Sequence, residues 1–354
     1  MTELFEIASR FTNEGSIIGI EPLGNGLIND TFLAITVEAG FVLQRLNRRV
    51  FPEPEKIMAN LAALAQHIAC QDPDVVKLRI PAVIKTVLQE NFHVDARGNA
   101  WRALSLVENA NSLETIGDIR EAEQVGFALG HFHRLVSGLA PTRLHDTLPG
   151  FHIAPGYLRR YRRVLEAGRG SQSSLELRYC TDFIDRHQGM APVLERAKRQ
   201  GHLKLRVIHG DPKLNNFLFN RDSRSIVSLI DLDTVKPGLI HYDLGDCLRS
   251  VCQTASDPID FDLDICEAIL KNYLAEAASF FSAYDYQYLY AAIRLIPFEL
   301  GLRFVTDYLE GNRYFKVVEP DQNLHRAIEQ FQLCKSILRQ ESRIETLIDD
   351  LAKA

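Results

Sequence analysis

Asp211 and Asn216 stand five residues apart, and Asp231 follows Asn216 by fifteen. Phosphoryl transfer from a nucleoside triphosphate needs such a set: a carboxylate facing the nucleophilic hydroxyl, an amide oxygen on magnesium and a carboxylate on magnesium. The order H-x-D-x-x-x-x-N, here His209 to Asn216, followed by an apolar run ending in Asp231, supplies the three groups. A lone D-x-x-x-x-N is a weak signal. Two motifs, each at the end of a strand-like run (203–208 and 226–230), make a specific one. Asp211 would orient the acceptor hydroxyl and take its proton, with positioning mattering more than its weak basicity. Lys213 can reach a γ-phosphate and offset charge developing there. Asn216 and Asp231 would hold Mg2+, a hard cation that phosphates and water complete.

The blander reading of these residues is a turn in which Asp211 accepts local backbone hydrogen bonds and Asn215 or Asn216 caps a helix. It leaves the second acidic motif unexplained. His209 reads as a buried hydrogen-bonding residue that shapes the loop. Asp233 has two readings, a second magnesium contact or a bond to nearby backbone. Asp243 and Asp246 read as scaffold, one of them holding the catalytic loop from behind. Gly24, Asn25, Gly26 and Asn29 form a turn whose backbone N–H groups would cover nucleotide phosphates. Alone it is only a hairpin signal.

These groups need elements to position them. The first hundred residues read as strands at 17–23, 31–37, 41–46, 92–94 and 101–107, with turns at 24–26 and 96–99. Between them Ile57, Leu61, Leu64 and Ile68 recur at helical spacing, giving five strands and a helix in a small lobe. Beyond about residue 113 the pattern is helical: 122–135, 157–165, 175–186, then from 263 to 308 and from 323 onward. The expected architecture is α+β and bilobal. A nucleotide-binding lobe spans 1–108, a hinge lies near 107–109, and a catalytic and substrate-binding lobe spans 109–354. ATP would lie between the lobes with Glu108 of the hinge beside it, and the lobes would close to exclude water.

Composition narrows the class. Net charge is −6, from 40 basic and 46 acidic residues, which argues against a nucleic-acid binder that works by bulk attraction. The six cysteines form no C-x-x-C pair, so they read as buried free thiols in a reducing cytoplasm. The N-terminal residues are acidic, unlike a secretory signal, and the apolar stretch 288–302 is broken by Arg294 and Glu299. The expected partners are ATP and a small molecule, with no nucleic acid and no membrane. The acidic run from Asp257 to Asp264 reads as a solvated helix start.

The two motifs resemble those of the aminoglycoside phosphotransferase and choline kinase superfamily. Segments 19–29, 42–52, 229–234 and 303–311 further resemble the bacterial N-acetylhexosamine 1-kinases, over about residues 5–340. That resemblance implies a protein-kinase-like fold and transfer from ATP to the anomeric hydroxyl of N-acetylgalactosamine or N-acetylglucosamine. It matches Asp211 to the catalytic aspartate, Asn216 and Asp231 to the magnesium ligands, and Arg303 and Tyr314 to sugar-binding positions. Taken without it, Arg303 and Tyr314 read as a helix-bridging arginine and a half-buried core tyrosine.

There are two departures. Gln44, counted with Gly24, Asn25, Gly26, Asn29 and Glu108 among the expected nucleotide-binding residues, occupies the third-strand position where many relatives carry a phosphate-binding lysine, while Arg45 should point to the opposite face. Asp233 replaces the glycine of the Asp-Phe-Gly segment. The alternatives are a kinase of another sugar, an amino alcohol or an aminoglycoside, and a silent nucleotide-binding module, for which Gln44 is the best support.

Overall fold

A computed structural model describes residues 2–12, 17–24, 28–37, 40–168 and 174–353. The N-terminal part runs α1 (Thr2–Ala8), β1 (Gly19–Pro22), β2 (Asp30–Ile35), β3 (Gly40–Leu46), α2 (Pro54–Ala69), β4 (Val83–Ile84), β5 (His93–Val94) and β6 (Ala100–Ser105). It continues with β7 (Ala110–Asn111), α3 (Ile119–Val136), α4 (Ala154–Glu166), α5 (Leu175–His187), α6 (Val193–Arg199), β8 (Arg206–Ile208), β9 (Phe217–Asn220), β10 (Ile226–Leu229) and β11 (Lys236–Gly238). The rest is helical: α7 (Ile240–Val251), α8 (Leu263–Ala277), α9 (Ala283–Gln287), α10 (Leu289–Leu309), α11 (Gln322–Arg339) and α12 (Glu341–Lys353).

A strand-rich sheet is thus followed by a larger helical part, the protein-kinase-like arrangement. The sheet order is β1-β2-β3-β6-β4, with β5 also on β6 and every pair antiparallel. Alternation along the strands gives the sheet two unlike faces. Phe41, Leu43, Trp101 and Ala103 pack with Ile7, Ala8 and Phe11 into a small core on one face. The other face presents a polar row, Thr31, Gln44 and Arg102, aligned by register across three strands. Arg45 lies on the first face, paired with Asp30 and over the Trp101 ring, as alternation requires.

The helix α2 buries Ile57, Met58, Leu61 and Leu64 in the larger core rather than against the sheet. Asn60 on that helix fixes it there. Its amide donates to the carbonyls of His145 and Val235, both at 2.9 Å, and accepts from the His145 N–H at 2.8 Å.

In the larger core α3 and α8 cross in near contact. A Cβ on Gly126 would lie 2.2 Å from the Ile269 carbonyl oxygen, so glycine is required there. α10 is buried nearly all round, which explains why its sequence shows no clear apolar stripe. Asp262 caps α8 by accepting from the Asp264 and Ile265 N–H groups, as the acidic run suggests. Five cysteines are buried, but Cys70, at the C-terminal end of α2, is exposed, contrary to expectation. Among the described residues no helix is long and apolar enough to cross a membrane.

Candidate active site

β8 pairs antiparallel with β11, and the loop leaving β8 carries His209 to Asn216. Gly210 turns that loop at φ +91°, where a Cβ would meet the Thr234 carbonyl oxygen at 2.6 Å. Asp243, on α7, holds it from behind. Its carboxylate accepts the His209 N–H at 2.6 Å and the Gly210 N–H at 2.8 Å. It also accepts from His133 Nε2 at 2.9 Å, and the Tyr273 hydroxyl lies 2.9 Å from His133 Nδ1. Burial raises the Asp243 carboxyl, but these donors lower it further, so it stays ionised. His209 is structural, as read from sequence. Its Nδ1 accepts the Asp211 N–H at 3.3 Å, which leaves Nε2–H to donate to the Ile230 carbonyl at 3.0 Å. That bond joins the two motifs, and Ile230 N–H donating to Asn216 O at 2.9 Å does so again.

The structure brings Asp211, Lys213, Asn216 and Asp231 together. Lys213 Nζ lies 2.7 Å from Asp211 Oδ2. Burial raises Asp211, but Lys213 draws it below the ordinary carboxylate range, so it is ionised at neutral pH. Asn216 donates Nδ2 to the Asp211 carbonyl at 2.7 Å, leaving Oδ1 as its acceptor face. Asp231 sits at φ 62° and ψ 52°, a left-handed conformation that costs energy for any residue with a Cβ. Partial desolvation by the surrounding loops and then the charge of Asp233 push its carboxyl up to about 6 against the pull of Lys213 and Arg102, although the residue as a whole is exposed to solvent. Among the described residues no three His, Cys, Asp or Glu side chains form a metal cage of their own. The Asn216 amide oxygen and the solvent-accessible Asp231 carboxylate suit magnesium, which is commonly held by one or two carboxylates plus substrate phosphates.

Asp233 does not bond merely to nearby backbone. Its Oδ2 accepts from Asn29 Nδ2 at 2.8 Å, and its Oδ1 lies 2.6 Å from the Arg102 guanidinium. Asn29 also accepts the Asn47 N–H through Oδ1 at 3.0 Å, so both ends of its amide are engaged. Gln44 Oε1 accepts from Arg102 Nε at 3.0 Å and NH2 at 2.8 Å. Gly24 lies in a left-handed turn at φ 69°, with no described residue beside the position a Cβ would take; Asn25 and Gly26 lie outside the described residues. Glu108 is exposed in the connection from β6 to β7. Asp246 pairs with Arg249 at 2.9 Å.

Arg303 lies on α10 between Glu299 and Asp307, at steps of four that place all three on one helix face. Its guanidinium stands 5.1 Å from the ring centres of Phe151 and Tyr157, 5.4 Å from Phe315 and 5.8 Å from Tyr314. It forms no ion pair or hydrogen bond among the described residues; burial works against its charge, while Tyr157, Tyr314, Glu299 and, least of these, Asp211 favour it. Asp307 organises the neighbouring loop by accepting the N–H groups of Arg313, Tyr314 and Phe315 at 2.9, 2.8 and 3.0 Å. Glu299 meets His152 Nδ1 at 3.1 Å, and His152 Nε2 donates to the Gly210 carbonyl at 2.8 Å. Tyr157, Arg160, Arg303, Asp307, Glu310 and Tyr314 surround a cavity of about 170 Å³. Sequence reasoning missed Arg102, His152, Glu299 and Asp307. Only the steps of four on α10, and the register opposite Gln44, carried any signal for them.

A kinase-like fold with this loop geometry defines a phosphotransferase. The chain belongs to the phosphotransferase enzyme family APH, whose model matches residues 19–280. Three solved structures share the fold. The microcompartment-associated aminopropanol kinase is 16% identical, covers 97% of this chain and 98% of its own, and has a TM-score of 0.67. The choline kinase of Cryptosporidium parvum Iowa II is 14% identical, with 98% of each chain covered and a TM-score of 0.63. Aminoglycoside 2'-phosphotransferase-IIIa, solved as its GDP complex, is 17% identical, with 94% and 98% covered and a TM-score of 0.62.

Proposed function

We propose that this protein is an ATP- and magnesium-dependent kinase that phosphorylates the anomeric hydroxyl of an N-acetylhexosamine, N-acetylgalactosamine or N-acetylglucosamine. Asp211 orients that hydroxyl and accepts its proton as the bond to phosphorus forms. Lys213 offsets charge on the transferring group. Asn216 and Asp231 would hold magnesium, which when bound neutralises the phosphates and fixes their geometry.

The observation that carries the choice of acceptor is Arg303, a guanidinium boxed by four aromatic rings, without an ion pair among the described residues, and lining a cavity with Tyr157 and Tyr314. Its N–H donors suit the oxygens of a neutral sugar and its acetamido carbonyl. The resemblance of four sequence segments to the N-acetylhexosamine 1-kinases, one of them containing Arg303, supports the same choice.

Cationic acceptors are suggested by the names of the similar structures, but a cation would meet Arg303, and each carboxylate around it among the described residues already has a partner, with only Glu299 Oε2 left over. Asp307 already accepts three backbone N–H groups, Glu310 pairs with Arg160, and Glu299 with His152.

Product mass after incubation with ATP, magnesium and N-acetylgalactosamine, N-acetylglucosamine, galactose, choline or kanamycin tests this. A sugar 1-phosphate from the N-acetylated hexosamines is expected. Turnover of choline or kanamycin alone would sink the sugar reading, and nucleotide binding without any transfer would favour a silent module.

A further inference from the structure

The two departures from the kinase signature, Gln44 and Asp233, face one another through Arg102. Arg102 is the register partner of Gln44 on the adjacent strand, and its guanidinium touches both Gln44 Oε1 and Asp233 Oδ1. Arg102 and Asp233 are each 1% exposed. Burying two charges costs several kcal/mol per ion, so a buried pair is poor evidence of a stability role. Arg102 NH1 and Asp233 Oδ1 are both buried without a hydrogen bond among the described residues, so the two side chains are joined as an ion pair at 2.6 Å.

A guanidinium has only donors, so it dictates which way the Gln44 amide faces. The oxygen must point to Arg102 and the nitrogen away. One hydrogen of that nitrogen goes to Thr31 Oγ1 at 3.0 Å, and the other has no acceptor among the described residues. Gln44 is only half-buried. Asp233 meanwhile balances the Arg102 charge and ties the strand to the segment that carries Asp231.

We propose that Arg102 is a positioning residue that locks the Gln44 amide with its free N–H toward the cleft, where it binds a phosphate oxygen of the nucleotide. Gln44 thereby supplies, as a neutral donor, a contact that other kinases make with a lysine. Arg102 and Asp233 form the ion pair that holds it. This rests on the nucleotide-dependent reading above, but not on the identity of the acceptor.

The test is the dissociation constant of magnesium ADP by calorimetry, with the melting temperature measured alongside. Gln44→Glu keeps an acceptor for Arg102, so the melting temperature holds or rises. It removes the N–H donor and adds negative charge, so magnesium ADP binds weaker by about tenfold or more. Arg102→Met frees the amide to rotate and also weakens binding, while Arg102→Lys recovers part of the loss. Gln44→Glu binding like the parent would overturn the assignment. So would an Arg102→Met that melts lower yet binds magnesium ADP unchanged, since Arg102 would then be scaffold alone. A parent protein that binds no magnesium ADP would instead overturn the nucleotide reading, and this assignment with it.

Discussion

Asp243 lies 34 residues after His209 in sequence, yet its carboxylate is 2.6 Å from the His209 backbone nitrogen. The loop from His209 to Asn216 is therefore set by a helix as well as by its own turn bonds. Removing that carboxylate strands two backbone donors and the His133 ring in a site that excludes water. Asp243→Ala should lower unfolding free energy by about 3–5 kcal/mol. Urea denaturation measures it, and a loss within the range of an ordinary surface change would refute the role.

Asp211 should separate chemistry from binding. Asp211→Asn keeps the size of the side chain but removes the base, and it weakens the contact with Lys213. Turnover should fall by roughly 10²–10⁴-fold, the usual contribution of a positioned proton acceptor. The affinity for magnesium ADP should change little. An Asp211→Asn protein that turns over like the parent contradicts the mechanism.

The candidate catalytic and metal-holding residues were legible because they lie in two short motifs, and the longer strands of the first sheet were legible because alternation and turns mark them. Less visible were groups whose roles come from distant pairing. Arg102 meets Asp233 across 131 positions of sequence, and His152 meets Glu299 across 147. α7 was missed because it is buried almost throughout, so it lacks the polar face that reveals a helix. The strand β11 was hidden by Pro237, which occupies a short pair with β8. Asp233 was ambiguous because sequence cannot show that Arg102 stands opposite it.

Arg303 should govern the acceptor and not the nucleotide. Arg303→Met keeps an apolar chain among the four rings and leaves no carboxylate unpaired, so stability should change little. It loses charge-assisted donors worth about 1.5–3 kcal/mol, so kcat/KM for the sugar should fall roughly 10- to 100-fold. Steady-state kinetics with sugar varied at saturating ATP will show whether the loss lies there. An unchanged kcat/KM for the sugar would remove Arg303 from the acceptor site.

His152 should give the protein a stabilising interaction that fades with rising pH. Both ring nitrogens face acceptors, the Gly210 carbonyl and Glu299, an arrangement that favours the doubly protonated ring. Burial alone would lower its affinity for the second proton, but Glu299 and then Asp246 outweigh that, and its folded-state pKa lies above the ordinary 6.5. The folded state therefore binds a proton that the unfolded chain releases. The contribution is complete below about pH 6.5 and is lost as pH climbs through the raised folded value. His209 and His241 are buried and shifted the other way, so they oppose it in acid. Comparison with His152→Gln isolates the one term, because glutamine offers a donor toward Gly210 without a titrating charge. Between pH 6 and 9 the stability advantage of the parent over His152→Gln should shrink steadily. An advantage that stays constant or grows across that window would show that His152 is not held as the imidazolium.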